Sequence, residues 1–144
     1  MIAIASDHAG IALKGELGRQ LRELGLAVED LGPEDPSSVD YPDYAHLLAR
    51  AVADGRVERG ILICGTGIGM SMAANRHPGV RAALCHDAYT AEMARRHNDA
   101  NVLCLGARAI GVGVAEQVVR VFVDTPFEGG RHQRRVAKIE REES

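Results

Sequence analysis

A chain of 144 residues is large enough for one domain with a proper core, and short for two of ordinary size. Its formal net charge of -3 and its 3% aromatic content argue against a protein that grips nucleic acid by bulk electrostatics or by base stacking. With 46% hydrophobic residues, 2 Phe and no Trp, its core must be built from Ala, Val, Leu and Ile, which suits helices packed closely on a parallel sheet.

In chain order, the opening run Met1-Ile2-Ala3-Ile4-Ala5-Ser6-Asp7 has no basic region and too short an apolar stretch for a signal peptide. Ile2 to Ala5 reads as a buried strand, and Leu13 to Leu24 as a helix with Leu13, Leu17, Leu21 and Leu24 at helical spacing. A second strand, Leu26 to Leu31, is closed by Gly32-Pro33, and a polar loop from Glu34 to Asp40 leads to a helix from Tyr41 to Asp54. Gly60 to Cys64 is a third strand, and the Gly-rich turn after it opens a short helix through Asn75. Val80 to Cys85 is a fourth, with Asp87 capping a helix to His97. Val102 to Leu105 is a fifth, followed by helices from Ile110 to Val123 and from Arg131 to Glu142.

Strand and helix alternating five times predict a single α/β domain over residues 1–144: a Rossmann-like open parallel sheet of about five strands, helices on both faces, and an extra C-terminal helix. No stretch spans a membrane without a charge inside it. The cysteines Cys64, Cys85 and Cys104 are odd in number and lack a Cys-x-x-Cys pair, as expected of reduced thiols in a soluble, cytoplasmic protein. Reactive groups in such folds gather at the carboxyl ends of the strands.

Four constellations stand out. In Cys64-Gly65-Thr66-Gly67-Ile68-Gly69 a cysteine ends an apolar strand, and inward-pointing amides plus a helix N-terminus would stabilise a thiolate and a neighbouring oxyanion. Alone, the cysteine reads as an inert core residue; with the turn it reads as functional. A dinucleotide fingerprint fails here, because Met70 follows Gly69 and the turn comes after the third strand. Asp7-His8 places a carboxylate and an imidazole at the end of strand one, where Asp7 equally suits a helix N-cap. His97-Asn98 ends the fourth helix, either as a proton donor or as a plain terminus with Asn98 in the left-handed cap. Arg131 and Arg135 share one face of the last helix and, with Arg108, offer forked donors for a phosphate; a solvated basic face is the bland alternative.

Five segments together resemble the ribose 5-phosphate isomerase B and galactose 6-phosphate isomerase family. They are Ser6-Asp7-His8-Ala9-Gly10, Asp40-Tyr41-Pro42, Gly60 through Gly69, Arg96-His97-Asn98-Asp99-Ala100-Asn101, and Glu128-Gly129-Gly130-Arg131-His132, in the family's order. The resemblance implies an aldose–ketose isomerase in which Cys64 moves a proton between C1 and C2 with Thr66 beside it. It also implies that the Gly65, Thr66, Gly67, Ile68 and Gly69 backbone holds the enediolate oxygen, and that His97 opens the sugar ring with help from Asp7. By the same resemblance His8, Arg108, Arg131 and Arg135 bind phosphate and Asn98 contacts the sugar. Some members use a glutamate as the base and lack the cysteine; Cys64 with Met70 places this chain in the cysteine subtype.

Chemically, such a reaction needs a base near carbon, donors at two oxygens and a remote phosphate anchor. It requires no metal, nicotinamide or nucleotide, and the sequence offers no convincing site for one. Because Cys64, Asp7 and Arg108 follow strands while His97, Asn98 and Arg131 follow helices, the two sets are expected at opposite sheet edges. A two-fold homodimer with shared sites, open to pairing into tetramers, is therefore expected, with no nucleic-acid or membrane partner. The sugar phosphate itself stays open: a hexose 6-phosphate such as allose or galactose 6-phosphate, or a tetrose phosphate, fits the same chemistry. A cysteine hydrolase and a non-catalytic sugar-phosphate binding module are the competing classes. Cys85, Cys104, His46, His77 and His86 receive no role.

Overall fold

The computed structural model describes residues 1–141. Three apolar runs with no room for a polar face become the centre of a parallel sheet: β1 (Ile2–Ser6), β3 (Arg59–Cys64) and β5 (Val102–Gly106). Two shorter strands, β2 (Val28–Asp30) and β4 (Ala82–Leu84), form its edges, so that the order is β2-β1-β3-β5-β4 with every pair parallel. Both edges are shorter than the apolar runs Leu26–Leu31 and Val80–Cys85 predict, because a strand paired on one side extends only as far as its single neighbour.

Helices α1 (Ile11–Glu23), α4 (Ala88–Arg96) and α5 (Val112–Asp124) cover one face, where Leu17, Leu21, Val118, Val119 and Phe122 are fully buried against Ile61, Leu103 and Leu105. Helices α2 (Tyr41–Ala53) and α3 (Ile68–Ala74) cover the other, with Leu48, Met70 and Ala74 on Leu62 and Cys104. A last helix, α6 (Arg131–Ile139), lies outside both clusters, and of its residues only His132 is buried. The expected end of this helix at Glu142 lies outside the described residues. A 3-10 turn at His8–Gly10, not expected from the sequence, links β1 to α1.

From β1 the chain moves to β2 on one side; from β3 it moves past β5 to β4 on the other. The switch point therefore falls between the carboxyl ends of β1 and β3, where open α/β sheets leave a crevice. Among the described residues no helix is long and apolar enough to cross a membrane.

Candidate active site

Three neighbouring strands deliver the carboxyl-edge residues. Ser6 pairs with Ile63, and the Asp7 amide donates to the Ile63 carbonyl at 3.0 Å, which sets Asp7 beside Cys64. Cys64 pairs with Gly106 across β3 and β5, and the Arg108 amide donates to the Gly65 carbonyl at 3.0 Å. The Arg108 guanidinium lies over Gly65, with Nη1 3.5 Å from the point a Cβ would occupy there.

Cys64 is only 5% exposed and its Cβ packs in the α2–α3 core, but its sulfur belongs to the turn: the Gly67 amide donates to Sγ at 3.1 Å. That contact accommodates negative charge on sulfur without a counter-ion. Gly67 has φ 79, the left-handed region, and an added Cβ would sit 2.6 Å from Leu84 Cδ1 and 2.9 Å from the Leu105 carbonyl carbon. Thr66 Oγ1 accepts from the Ile68 amide at 3.2 Å. Two of the five turn amides are thus committed within the turn. Among the described residues those of Gly65, Thr66 and Gly69 have no acceptor, and they remain for an oxyanion.

Asp7 is a cap as well as a candidate. Its Oδ1 accepts from the Ala9 and Gly10 amides at 2.9 and 3.2 Å, and the residue is 8% exposed. His8 Nδ1 accepts from the Val39 amide at 3.2 Å, so in the neutral ring the hydrogen sits on Nε2. This bond ties the polar 34–40 loop to the rim. Tyr41, quoted in a motif but given no role, packs its ring on Gly69 and walls one side of the turn. Met70 is fully buried, which leaves position 70 no part in proton transfer. Burial pushes the Cys85 thiol up to about 11 and Cys104 higher still, so neither supplies a thiolate near neutral pH.

His97, Asn98, Arg131 and Arg135 are elsewhere. Arg95, buried at the end of α4, donates to the Thr125 carbonyl at 3.1 Å, to Asp99 Oδ1 at 2.9 Å and to the Ala100 carbonyl at 2.7 Å. These bonds fix the segment after α4, and the Gly60 amide donates to the Asn101 carbonyl at 2.9 Å, at the amino edge of β3. The left-handed residue there is Asp99, with φ 46, rather than Asn98. The steps along β3 from Arg59 to Cys64, at about 3.3 Å each, separate this edge from Cys64 by roughly 17 Å. As expected, one chain does not bring the two sets together. A cleft of about 600 Å³ beside Asn98, lined also by Arg76 and Arg81, lies at this amino edge and not at the cysteine.

At the same edge the His97 ring stacks on His132, with centroids 4.1 Å apart and planes 10° from parallel. Glu128 reaches both, its Oε2 3.9 Å from His97 Nε2 and its Oε1 3.5 Å from His132 Nε2. This His–Glu–His group was not legible as a candidate metal site, because α5 separates its members in sequence. Arg131 and Arg135 are both exposed on α6.

A profile of the ribose/galactose isomerase family matches residues 2–139. The chain belongs to this family. The chain is 47% identical over 138 residues to ribose-5-phosphate isomerase B of Escherichia coli, an alignment covering 96% of this chain and 93% of that protein. It is also 47% identical over 140 residues to D-erythrulose-4-phosphate isomerase of Pectobacterium atrosepticum, covering 96% and 91%. The solved structure of Clostridium thermocellum ribose-5-phosphate isomerase B superposes with a TM-score of 0.96 at 48% identity, covering 97% of this chain and 95% of that one. The isomerase is thus an aldose–ketose enzyme by family and by fold, with its cysteine at the switch point of the sheet.

Proposed function

We propose that this isomerase interconverts D-ribose 5-phosphate and D-ribulose 5-phosphate, with Cys64 as the base. The observation that carries the reading is the Cys64 sulfur, held at 3.1 Å by the Gly67 amide and flanked by Asp7, His8 and Arg108 from the neighbouring strand ends. His97, with Asp7 assisting, opens the furanose by giving a proton to the ring oxygen while the anomeric hydroxyl loses one. The Cys64 thiolate then takes the proton from C2, charge moves onto the carbonyl oxygen, and the free turn amides with Thr66 hold the resulting enediolate. Return of the proton to C1, with O1 gaining and O2 losing a hydrogen, completes the ketose. His8, Arg108, Arg131 and Arg135 bind the phosphate, Asn98 holds the sugar, and the residues at the amino edge come from the second subunit of a two-fold dimer.

A tetrose phosphate is the second reading, favoured by equal 47% identity to the erythrulose-4-phosphate and the ribose-5-phosphate enzymes. The test compares kcat/KM for ribose 5-phosphate, erythrulose 4-phosphate, allose 6-phosphate and galactose 6-phosphate, with deuterium incorporation from D₂O as the signature of proton transfer. Ribose 5-phosphate should lead the panel. A higher kcat/KM on the tetrose moves the assignment there, and no deuterium uptake on any sugar phosphate removes the isomerase chemistry.

A further inference from the structure

The His132 ring is 6% exposed, and its Nε2 has no hydrogen-bond partner among the described residues. A buried polar atom left unpaired is an unusual feature in a native interior, because it loses water without gaining a partner. It does not point into apolar surroundings. Glu128 Oε1 lies 3.5 Å away, beyond hydrogen-bond length, and the second oxygen of the same carboxylate lies 3.9 Å from His97 Nε2. Two imidazole nitrogens and a carboxylate thus face one another within 4.8 Å, and none of the three contacts is closed.

We propose that His97, Glu128 and His132 form a binding site for a divalent transition-metal ion of the zinc type, which inhibits the enzyme when filled. Two imidazoles and one carboxylate suit zinc, cobalt or nickel and do not suit magnesium or calcium, which prefer all-oxygen shells. A tetrahedral zinc ion with bonds of about 2.0–2.1 Å separates its ligand atoms by roughly 3.3–3.5 Å. The Glu128–His132 edge, at 3.5 Å, already has that length. The Glu128–His97 edge, at 3.9 Å, must shorten by a few tenths, and the His97 ring must tilt out of its parallel stack to bring the ion into its plane. In the single chain both movable ligands have room to do so, with side chains 39% and 50% exposed, while the buried His132 is the fixed point. The Glu128 amide donates to the Arg96 carbonyl at 3.0 Å, which keeps the two backbones adjacent. Arg96 itself is turned to Glu92, at 2.9 Å, so its charge is balanced. A fourth ligand position stays open to water. The inhibitory consequence rests on the proposed role of His97, since the ion takes the ring nitrogen that ring opening needs; the binding itself does not.

Zn²⁺ titrated calorimetrically into chelator-treated full-length protein should bind one ion per chain, Co²⁺ should give a visible tetrahedral absorption band, and Mg²⁺ should give no heat. Glu128→Gln, a change at an exposed side chain, and His132→Ala should each weaken zinc binding by at least about tenfold. Cys64→Ser should leave it unchanged. Loss of the zinc heat in Cys64→Ser, its survival in Glu128→Gln, or its absence from the wild type would each overturn the site. Zinc should also inhibit isomerisation reversibly, with recovery on adding chelator. A cobalt-filled site that turns over at the uninhibited rate would leave the metal site standing and remove His97 from the chemistry.

Discussion

In the proposed mechanism Cys64 and Arg131 act at different points of the reaction coordinate, and kinetics should separate them. Removing the base leaves the phosphate grip intact, so Cys64→Ala should lower kcat by about 10²–10⁴-fold, with little change in the affinity of a sugar-phosphate analogue. Truncating Arg131 removes a charge-assisted contact remote from the reacting carbons, so KM should rise before kcat falls. Parallel losses in both constants for both variants would contradict these roles. The turn that carries the cysteine has its own requirement at Gly67, where the left-handed φ of 79 and the nearby Leu84 and Leu105 both exclude a side chain. Gly67→Ala should cost about 1–3 kcal/mol, a fall of roughly 3–9 °C in Tm by calorimetry. Gly79 has φ 86 and nothing within 4 Å of a built Cβ, so Gly79→Ala carries the backbone strain alone and should cost less. At this scale the sequence is informative wherever a residue acts through its neighbours in the chain. Asp7 as a cap and Cys64 at a strand end are legible in this way. The meeting of Glu128 and His132 with His97 is not, because it depends on where α5 returns the chain.

The central strands β1, β3 and β5 were readable because each is apolar at nearly every position, the mark of a strand buried on both faces. At the edges the apolar runs outlast the pairing, and the 3-10 turn at His8–Gly10 arises from the Asp7 cap, a contact no periodicity announces. One contact between elements has a consequence for stability. His46 Nδ1, on α2, lies 2.7 Å from His77 Nε2, just beyond α3, so one ring donates and the other accepts. Burial first, and then His46 and Arg50, hold the His77 pKa below its ordinary 6.5. The folded state therefore favours the neutral ring, and the unfolded chain binds more protons as the pH falls. The stabilisation is present above pH 6.5 and is lost as acid carries the solution through the lowered folded pKa. Urea unfolding at about pH 7.5 and about pH 5.5 should show a larger loss on acidification for the wild type than for His77→Gln. Equal losses would mean that the pair does not sense pH.

On the scale of the whole molecule, the sheet divides the proposed site residues between its two edges. Every helix after a parallel strand runs back toward the amino edge, so residues that end helices are held away from residues that end strands. Here Cys64, Asp7, His8 and Arg108 share the carboxyl edge, while His97, Asn98 and the α6 arginines share the opposite one. A β3 of six residues keeps the two about 17 Å apart, far beyond the 2.6–3.2 Å reach of proton transfer. No side-chain rotation closes such a gap, and the buried Arg95 network makes local unfolding of the α4 end an expensive remedy. In the proposed two-fold dimer the gap closes twice at once, because each amino edge meets the carboxyl edge of the other subunit. Cys64→Ala and His97→Ala, each nearly inactive as a homodimer, should then complement when mixed and allowed to exchange subunits. A heterodimer carries one site with both defects and one with neither, so statistical mixing should restore about a quarter of the wild-type rate. Native mass spectrometry on the same mixture reports whether exchange has occurred. Heterodimers present without recovered activity would show that Cys64 and His97 do not serve a common site.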